Sequence, residues 1–228
     1  MTTDDELEAR RQQYRDVHET LLSDDLVTAL RLCIRTGNTP LRDLALKELR
    51  GYETDDELPQ WRTFSIDGRL HIRWTGVGGG YMTTKTQEWP WLLLPDEWKE
   101  LIPEQLPLRK PVEELIEYAK ADDALQFSTS AMQVYTQEQN SKTSWGDPAI
   151  EKTFAILGAH EIRGRLGVLV TDLLEITDYL DNRISQEQGG KTGPAVDEPR
   201  TSNQVWTWIR QGVAVAGDLA SLIGLALP

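Results

Sequence analysis

Residues 161–180 read EIRGRLGVLVTDLLEITDYL and carry the most regular apolar pattern of the chain. The members of this pattern lie alternately four and three positions apart: Ile162, Leu166, Leu169, Leu173, Ile176 and Leu180. This spacing aligns the apolar side chains in one stripe along an α-helix. We interpret the stripe as the core-facing side of a helix in a bundle, although an intermolecular coiled coil would give the same spacing. The fold is therefore predicted to be mainly helical.

Start and stop signals in the sequence predict further helices before residue 161. Residues 4–22 are polar with sparse apolar positions, which favours a surface helix. Ser23, followed by two aspartates, is predicted to cap a second helix that ends at Gly37-Asn38. A third helix is predicted to begin at Thr39-Pro40 and to end at Gly51. The remaining predicted helices cover about residues 110–120, 122–138 and 148–186.

A short stretch after Pro59 has the character of β-strands. Apolar and polar residues alternate at 64–66 and again at 70–74, and Asp67-Gly68 lies between the two runs. Two runs of period two that are joined by Asp-Gly indicate an antiparallel hairpin. The predicted fold class is therefore mainly α with α+β character: a helical bundle that carries a small antiparallel sheet at about residues 60–95.

Composition and charge limit the classes of function. The chain has 228 residues and a formal net charge of -13, so nucleic acid and anionic lipid repel it on average. Any binding to such partners must use a local basic patch. The single cysteine, Cys33, excludes an internal disulfide and fits an apolar helix face, where we interpret it as buried and inert. The acidic N-terminus does not resemble a secretory signal, and a cytoplasmic location is predicted.

Motifs of known catalytic sites are incomplete in this sequence. Gly190-Lys191-Thr192 matches the end of a phosphate-binding P-loop, but Ser185 stands where the motif requires glycine. His160-Glu161 begins a zinc-protease motif, but Gly164 stands where the second histidine belongs. We therefore predict no catalytic residues, no metal site and no cofactor, and a protein that binds and assembles rather than catalyses. An unrecognised enzyme, such as a nuclease, is kept as a less favoured alternative.

A local excess of positive charge accompanies the predicted sheet. Basic residues between positions 58 and 86 outnumber acidic ones: Arg62, Arg69, Arg73 and Lys85 against Asp67. In the second predicted strand, basic side chains alternate with apolar ones: Arg69, His71 and Arg73 against Leu70, Ile72 and Trp74. A solvated strand face would explain this pattern. The alternative is a site for a phosphate-bearing ligand, either a nucleotide or a nucleic acid, formed by Arg62, Arg69, His71 and Arg73.

The stretch Glu48-Leu49-Arg50-Gly51-Tyr52, followed by Leu58-Pro59 and Trp61-Arg62, resembles the AbiTii family of bacterial abortive-infection (phage-defence) proteins. The helix from Glu161 to Glu175 resembles a later helix of that family, and the similarity extends loosely over about residues 20–180. The resemblance implies phage defence as the biological setting, and it carries over no catalytic residue.

The residues of the first motif also have a structural interpretation. Gly51 is suited to end a helix, and the ring of Tyr52 can fold onto the core. Glu48 can hold a basic neighbour such as Arg62. A contact between these residues and a ligand is the alternative interpretation.

The C-terminal part of the sequence differs from the rest. Residues 1–188 are predicted to form the main domain and residues 189–202 a linker, which precedes an apolar helix at 203–228. Residues 205–227 are long enough as a helix to cross a bilayer core of about 30 Å. They include Arg210 and Asp218, whose charges make an isolated membrane span marginal.

Small residues and tryptophans in this segment favour assembly. Small side chains recur every fourth position: Gly212, Ala216, Ala220 and Gly224. This spacing lets two helices approach closely. Trp206 and Trp208 resemble an interfacial anchor, and Asp218 can line water in an oligomer. Three interpretations stay open: self-assembly or binding of a partner, membrane insertion within an oligomer, and packing against the chain's own core.

The function predicted from these observations is that of a non-enzymatic effector or sensor of phage defence. It binds a ligand and forms homo-oligomers through the C-terminal helix, with disruption of the membrane as a further outcome. The predicted location is the cytoplasm, with association to the membrane on activation. The alternative is a soluble module that binds a nucleotide or nucleic acid.

Overall fold

The computed structural model describes residues 4–66, 69–78, 81–122, 124–144 and 147–189. Seven α-helices lie within these residues: α1 Asp4–Leu22, α2 Leu26–Arg35, α3 Thr39–Arg50, α4 Asp96–Leu101, α5 Val112–Lys120, α6 Ser130–Ser141 and α7 Ala159–Gly189. Six strands accompany them: β1 Thr63–Ser65, β2 Leu70–Gly78, β3 Tyr81–Glu88, β4 Gln105–Pro107, β5 Leu125–Phe127 and β6 Ala149–Leu157. Short 3-10 helices occur at Gln60–Arg62 and Trp91–Leu93. The predicted fold class, mainly helical with antiparallel β-structure, is confirmed.

Side-chain caps fix the ends of the N-terminal helices. The Asp25 carboxylate accepts the backbone N–H of Thr28 at 3.0 Å and caps α2, so the predicted cap at Ser23 is wrong. An aspartate two positions later than expected is the better cap because its oxygen faces the third N–H of the helix. The Asn38 side chain caps α3 by accepting the backbone N–H of Leu41 at 3.0 Å.

The strands pair differently from the predicted hairpin across Asp67-Gly68. β1 pairs with β4 in a two-stranded antiparallel sheet. β2 belongs to a second, four-stranded antiparallel sheet of order β3-β2-β6-β5. The hairpin partner of β2 is β3, with Gly78 opposite Tyr81. The sequence pattern showed strand character correctly, but a short strand such as β1 finds its partner through contacts that are distant in sequence.

Residues 149–157 form strand β6, so the helix predicted over 148–186 begins later, at Ala159. The helix predicted over 122–138 likewise gives way to strand β5 before α6. β6 is buried on both faces over Thr153, Phe154 and Ala155. A strand that is buried on both faces shows no alternation, and its apolar run is then hard to distinguish from a helix.

The apolar stripe of α7 is buried as predicted except at Leu166, which is only partly buried. Ile162, Leu173 and Ile176 have no exposed surface, while Leu169 and Leu180 are at most 5% exposed. The described residues up to Trp61, together with Arg109–Leu115 and those from Gly164 onward, form one compact unit. The second compact unit comprises Arg62–Leu108 and Ile116–Arg163 and contains both sheets. The predicted linker at 189–202 and the predicted helix at 203–228 lie outside the described residues, except for Gly189.

β5 covers only part of one edge of β6, and the Asn140 side chain makes hydrogen bonds to another part of that edge. β5 pairs with β6 only over residues 155–157. Closer to the start of β6, Asn140 accepts the N–H of Ile150 at 2.7 Å and donates to the carbonyl of the same residue at 2.8 Å. One amide side chain thus replaces the two backbone hydrogen bonds that a neighbouring strand would make.

Asn140→Ala is expected to lower the free energy of unfolding by about 2 kcal/mol, because both backbone groups of Ile150 lose their partner. Asn140→Asp keeps an acceptor for the N–H but sets a second oxygen, which cannot donate, against the Ile150 carbonyl, so it is expected to lose at least as much as alanine. Gln137→Ala, an exposed position on the same helix, is the matched control. Urea denaturation followed by circular dichroism measures all three variants. Equal stability of Asn140→Ala and Gln137→Ala would contradict the prediction.

Candidate functional site

The outer face of the four-stranded sheet gathers basic side chains around one aromatic ring. In the antiparallel pairing of β2 with β6, His71 lies opposite Phe154 and Arg73 lies opposite Lys152. Directly opposed residues, and residues two positions apart on one strand, project from the same face of a sheet. The sheet therefore places all four side chains side by side. We call this set the basic cluster.

The ring of Phe154 forms the floor of the basic cluster. The Arg73 guanidinium carbon lies 5.3 Å from the ring centroid and the Lys152 ammonium lies 5.1 Å from it. The imidazole of His71 stacks at 5.8 Å with an interplanar angle of 23°. Because these groups cover the ring, Phe154 is only 1% exposed. Cation–π attraction holds both charges over the ring and orients them.

Within the described residues, the polar contacts of the two cations are long. The Arg73 Nη1 atom lies 3.9 Å from a carboxylate oxygen of Glu151, and its Nε lies 3.4 Å from the Thr86 hydroxyl. Lys152 donates to the neutral side chain of Gln126 at 3.4 Å. Contacts of this length contribute little. Both cationic groups can therefore turn towards an incoming anion at small energetic cost.

His71 contributes a neutral ring rather than a charge. Burial lowers the pKa of the His71 imidazole below its ordinary value, and the negative charge of Glu88 opposes this shift only in part. The imidazole is therefore neutral at pH 7. The positive charge of the basic cluster at neutral pH comes from Arg73 and Lys152.

Arg69 does not contribute a free charge to this face. Its guanidinium donates to the backbone carbonyl of Ser65 at 2.8 Å and to the carboxylate of Glu161. Burial opposes ionisation of Glu161, but the hydrogen bonds from Arg69 and from the Gly158 N–H hold its pKa below the ordinary value. The Arg69–Glu161 pair therefore fixes the start of α7 beside β2.

Arg62 lies in the interior. It has no exposed surface, and its guanidinium donates to the backbone carbonyl of Leu108 at 3.2 Å. Of the four predicted ligand residues, the structure thus brings together only His71 and Arg73 on an accessible face. Lys152 and Phe154 were not among the predicted residues, because the sequence pattern around them predicts a helix. The signal that could have found them is the nine-residue run between Pro148 and Gly158, which is rich in aromatic and β-branched residues.

The first motif forms a buried structural site. Glu48 has no exposed surface and accepts a hydrogen bond from the hydroxyl of Tyr52, which is 5% exposed. The backbone N–H of Tyr52 donates to the carbonyl of Arg109 at 2.9 Å. Gly51 adopts φ 84° at the end of α3. These contacts match the structural interpretation of Gly51 and Tyr52.

The residues predicted to mediate assembly lie outside the described part of the chain: Trp206, Trp208, Gly212, Ala216, Asp218, Ala220 and Gly224. Within the described residues, no helix combines the length and the hydropathy that a membrane span requires. No group of three or more histidine, cysteine, aspartate or glutamate side chains in that same part of the chain could hold a metal ion.

Comparison with known proteins gives a match to a protein family. A family model described as AbiTii matches residues 17–205, which is most of the chain. Searches of curated proteins and of solved structures found no match.

Proposed function

The chain belongs to the AbiTii family, which suggests abortive-infection phage defence, and on this premise we propose that it acts by holding a phosphate-bearing ligand on the basic cluster. The observation that carries the proposal is the convergence of Arg73 and Lys152 over Phe154 in a chain of formal charge -13. In such a chain, a local pair of cations is a site where an anion can bind, because the contact of Arg73 with Glu151, at 3.9 Å, is loose. The proposed role is binding without turnover.

The chemistry of the basic cluster suits a phosphate group. A guanidinium donates two parallel hydrogen bonds to phosphate oxygens, and an ammonium adds a compact charge. The hydroxyl of Thr86, 3.4 Å from Arg73, supplies a further donor at the rim. If the cations swing outwards to meet phosphate, the ring of Phe154 becomes accessible, and a base can stack on it. These features favour a nucleotide or a single strand of nucleic acid as the ligand.

We expect the double variant Arg73→Glu with Lys152→Glu to weaken binding at least about tenfold, because two attractive charges become repulsive. Fluorescence anisotropy measures binding of a labelled single-stranded oligonucleotide and, in competition, of a nucleoside triphosphate. The slope of log affinity against log salt should fall by about 2 in the double variant. The thermal midpoint should fall only slightly, since each half-exposed cation over the Phe154 ring contributes about 0.5–1 kcal/mol to folding.

The matched control is Arg42→Glu with Lys120→Glu. It changes the net charge by the same amount at exposed positions on α3 and α5, outside the strands that carry the basic cluster. Equal losses of affinity in the two double variants would show that only overall charge matters, and the proposed site would be rejected. Competition by the triphosphate alone would identify a nucleotide as the ligand, whereas a requirement for several linked nucleotides would identify a strand.

Assembly through residues 203–228 is a second proposed activity, and the repeat of small residues from Gly212 to Gly224 favours it. In this proposal, ligand binding and association of copies together constitute the defence response. Association with a membrane in the assembled state is part of the same proposal and draws on the apolar composition of residues 205–227.

A further inference from the structure

His71 is the member of the basic cluster whose charge can change near neutral pH. Its imidazole stacks on the Phe154 ring at 5.8 Å, and the cationic groups of Arg73 and Lys152 lie 5.3 Å and 5.1 Å from the centroid of that ring. Arginine and lysine keep their charge at neutral pH, whereas histidine titrates there. The His71 side chain is half-buried, and neither of its ring nitrogens has a hydrogen-bond partner within the described residues. The ring can therefore accept a proton without losing a hydrogen bond.

Charged side chains lie around His71 on β2 and on both of its neighbouring strands. The cations are Arg73 and Lys152, and the carboxylates are Glu88 and Glu151. Burial lowers the pKa of His71 below the ordinary value of 6.5, and Glu88, directly opposite on β3, opposes this shift. Arg69 and Glu161, beside the start of β2, pair with each other. The balance of these groups keeps the imidazole neutral at pH 7.

A phosphate group held by Arg73 and Lys152 changes this balance. It brings negative charge to the aromatic ring on which His71 stacks. A nearby negative charge favours the imidazolium over the neutral imidazole, as a carboxylate beside a histidine does. Binding of the anion and protonation of the ring are then linked, and each strengthens the other by the same factor.

We propose that His71 couples ligand binding to protonation: an anion held by Arg73 and Lys152 draws a proton from the solvent onto the His71 ring, and the imidazolium becomes a third cationic contact. This inference rests on the proposed function of the basic cluster and adds the regulation of that site by pH. Above the pH range in which His71 titrates, the cluster binds through two cations. As the pH falls through that range, the affinity for the anion rises.

The pH dependence of binding by the full chain tests the proposal. The probe is a labelled single-stranded oligothymidylate, whose phosphodiesters and bases keep their charge over the range in which histidine titrates. Fluorescence anisotropy at constant ionic strength should give an affinity about fivefold higher at about pH 5.5 than at about pH 7.5. His71→Gln cannot become charged, so it should lose most of this rise and bind within about twofold of the natural chain at the higher pH. His160→Gln, at an exposed position in α7, is the matched control and should keep the rise.

Proton NMR of the histidine rings follows the proton itself. The chain has three histidines, and His18→Gln and His160→Gln identify two of the signals, which leaves the third to His71. In the natural chain, saturating oligothymidylate should raise the pH midpoint of the His71 signal and leave the other two in place. Glu88→Gln should lower that midpoint, because the imidazolium loses the attraction of the opposite carboxylate.

The outcomes separate this inference from the proposed function. Binding that Arg73→Glu with Lys152→Glu does not weaken would reject the proposed function, and the coupling would fall with it. Binding that depends on Arg73 and Lys152 but keeps its full pH dependence in His71→Gln would overturn the coupling alone. An unchanged midpoint of the His71 signal on binding would also overturn it, and this measurement on the natural chain does not depend on whether the His71 variant folds.

Discussion

Gly51→Ala is expected to lower the free energy of unfolding by about 3 kcal/mol. Gly51 adopts φ 84°, a backbone conformation that residues with a Cβ rarely adopt. A Cβ atom at this position would lie 2.6 Å from the backbone carbonyl oxygen of Arg109. That carbonyl cannot retreat cheaply, because it accepts the N–H of Tyr52 at 2.9 Å. The glycine of the motif is therefore required by conformation and by space together.

Gly37→Ala separates the cost of the positive φ from the cost of a steric clash. Gly37 also has a positive φ, of 71°, but no atom lies within 4 Å of the Cβ that alanine would add. The alanine variant should therefore lose only the conformational term, about 1 kcal/mol. Urea denaturation of both variants, followed by circular dichroism, gives the comparison. Losses of the same size at the two positions would show that the close approach of Arg109 does not matter.

Glu48→Ala is expected to lower the free energy of unfolding by about 3 kcal/mol, since a fully buried carboxyl that accepts the Tyr52 hydroxyl is replaced by a methyl group. Two costs combine: Tyr52 loses this acceptor, and the space of the larger side chain is left unfilled. Glu48→Gln keeps an oxygen acceptor at nearly the same volume and should lose less. Thermal and urea denaturation of the three proteins measure the difference.

Tyr52→Phe completes the test of the Glu48 contact. Removing the hydroxyl alone should cost about 1 kcal/mol. The double variant Glu48→Ala with Tyr52→Phe should lose less stability than the sum of the two single losses, because both changes remove the same hydrogen bond. Glu53→Ala is the exposed control, and it should cost under about 0.5 kcal/mol. Strict additivity of the Glu48 and Tyr52 changes would show that the hydrogen bond contributes nothing.

The buried residues around Gly51 and the residues of the basic cluster differ in what a substitution should change. The environment of Glu48, Gly51 and Tyr52 is closed and serves the stability of the compact unit that contains them. The basic cluster has half-exposed cations with long contacts, and changes there should alter binding rather than folding. The Arg69–Glu161 pair belongs with the first kind, although Arg69 precedes the same strand as Arg73. A charge reversal at Arg69 is therefore unsuited to test ligand binding.

The sequence predicted only part of the basic cluster. Alternation along β2 predicted that His71 and Arg73 share a face, because side-chain direction in a strand depends only on the parity of the position. Lys152 and Phe154 lie about 80 positions later, and only the pairing of β6 with β2 places them beside Arg73. Arg62 has the same charge as Arg73, but the packing of the Leu108 segment decides that it is buried.

The sequence alone determined the features that depend on neighbouring residues. The stripe of α7 and the end of α3 at Gly51 follow from residues within about one helical turn of each other. Only the tertiary structure decided which strands pair, where β6 ends and α7 begins, and which arginines remain available to a ligand. Those outcomes depend on burial and hydrogen bonding between segments that are distant in sequence. Their free energies arise only when the chain has brought those segments together.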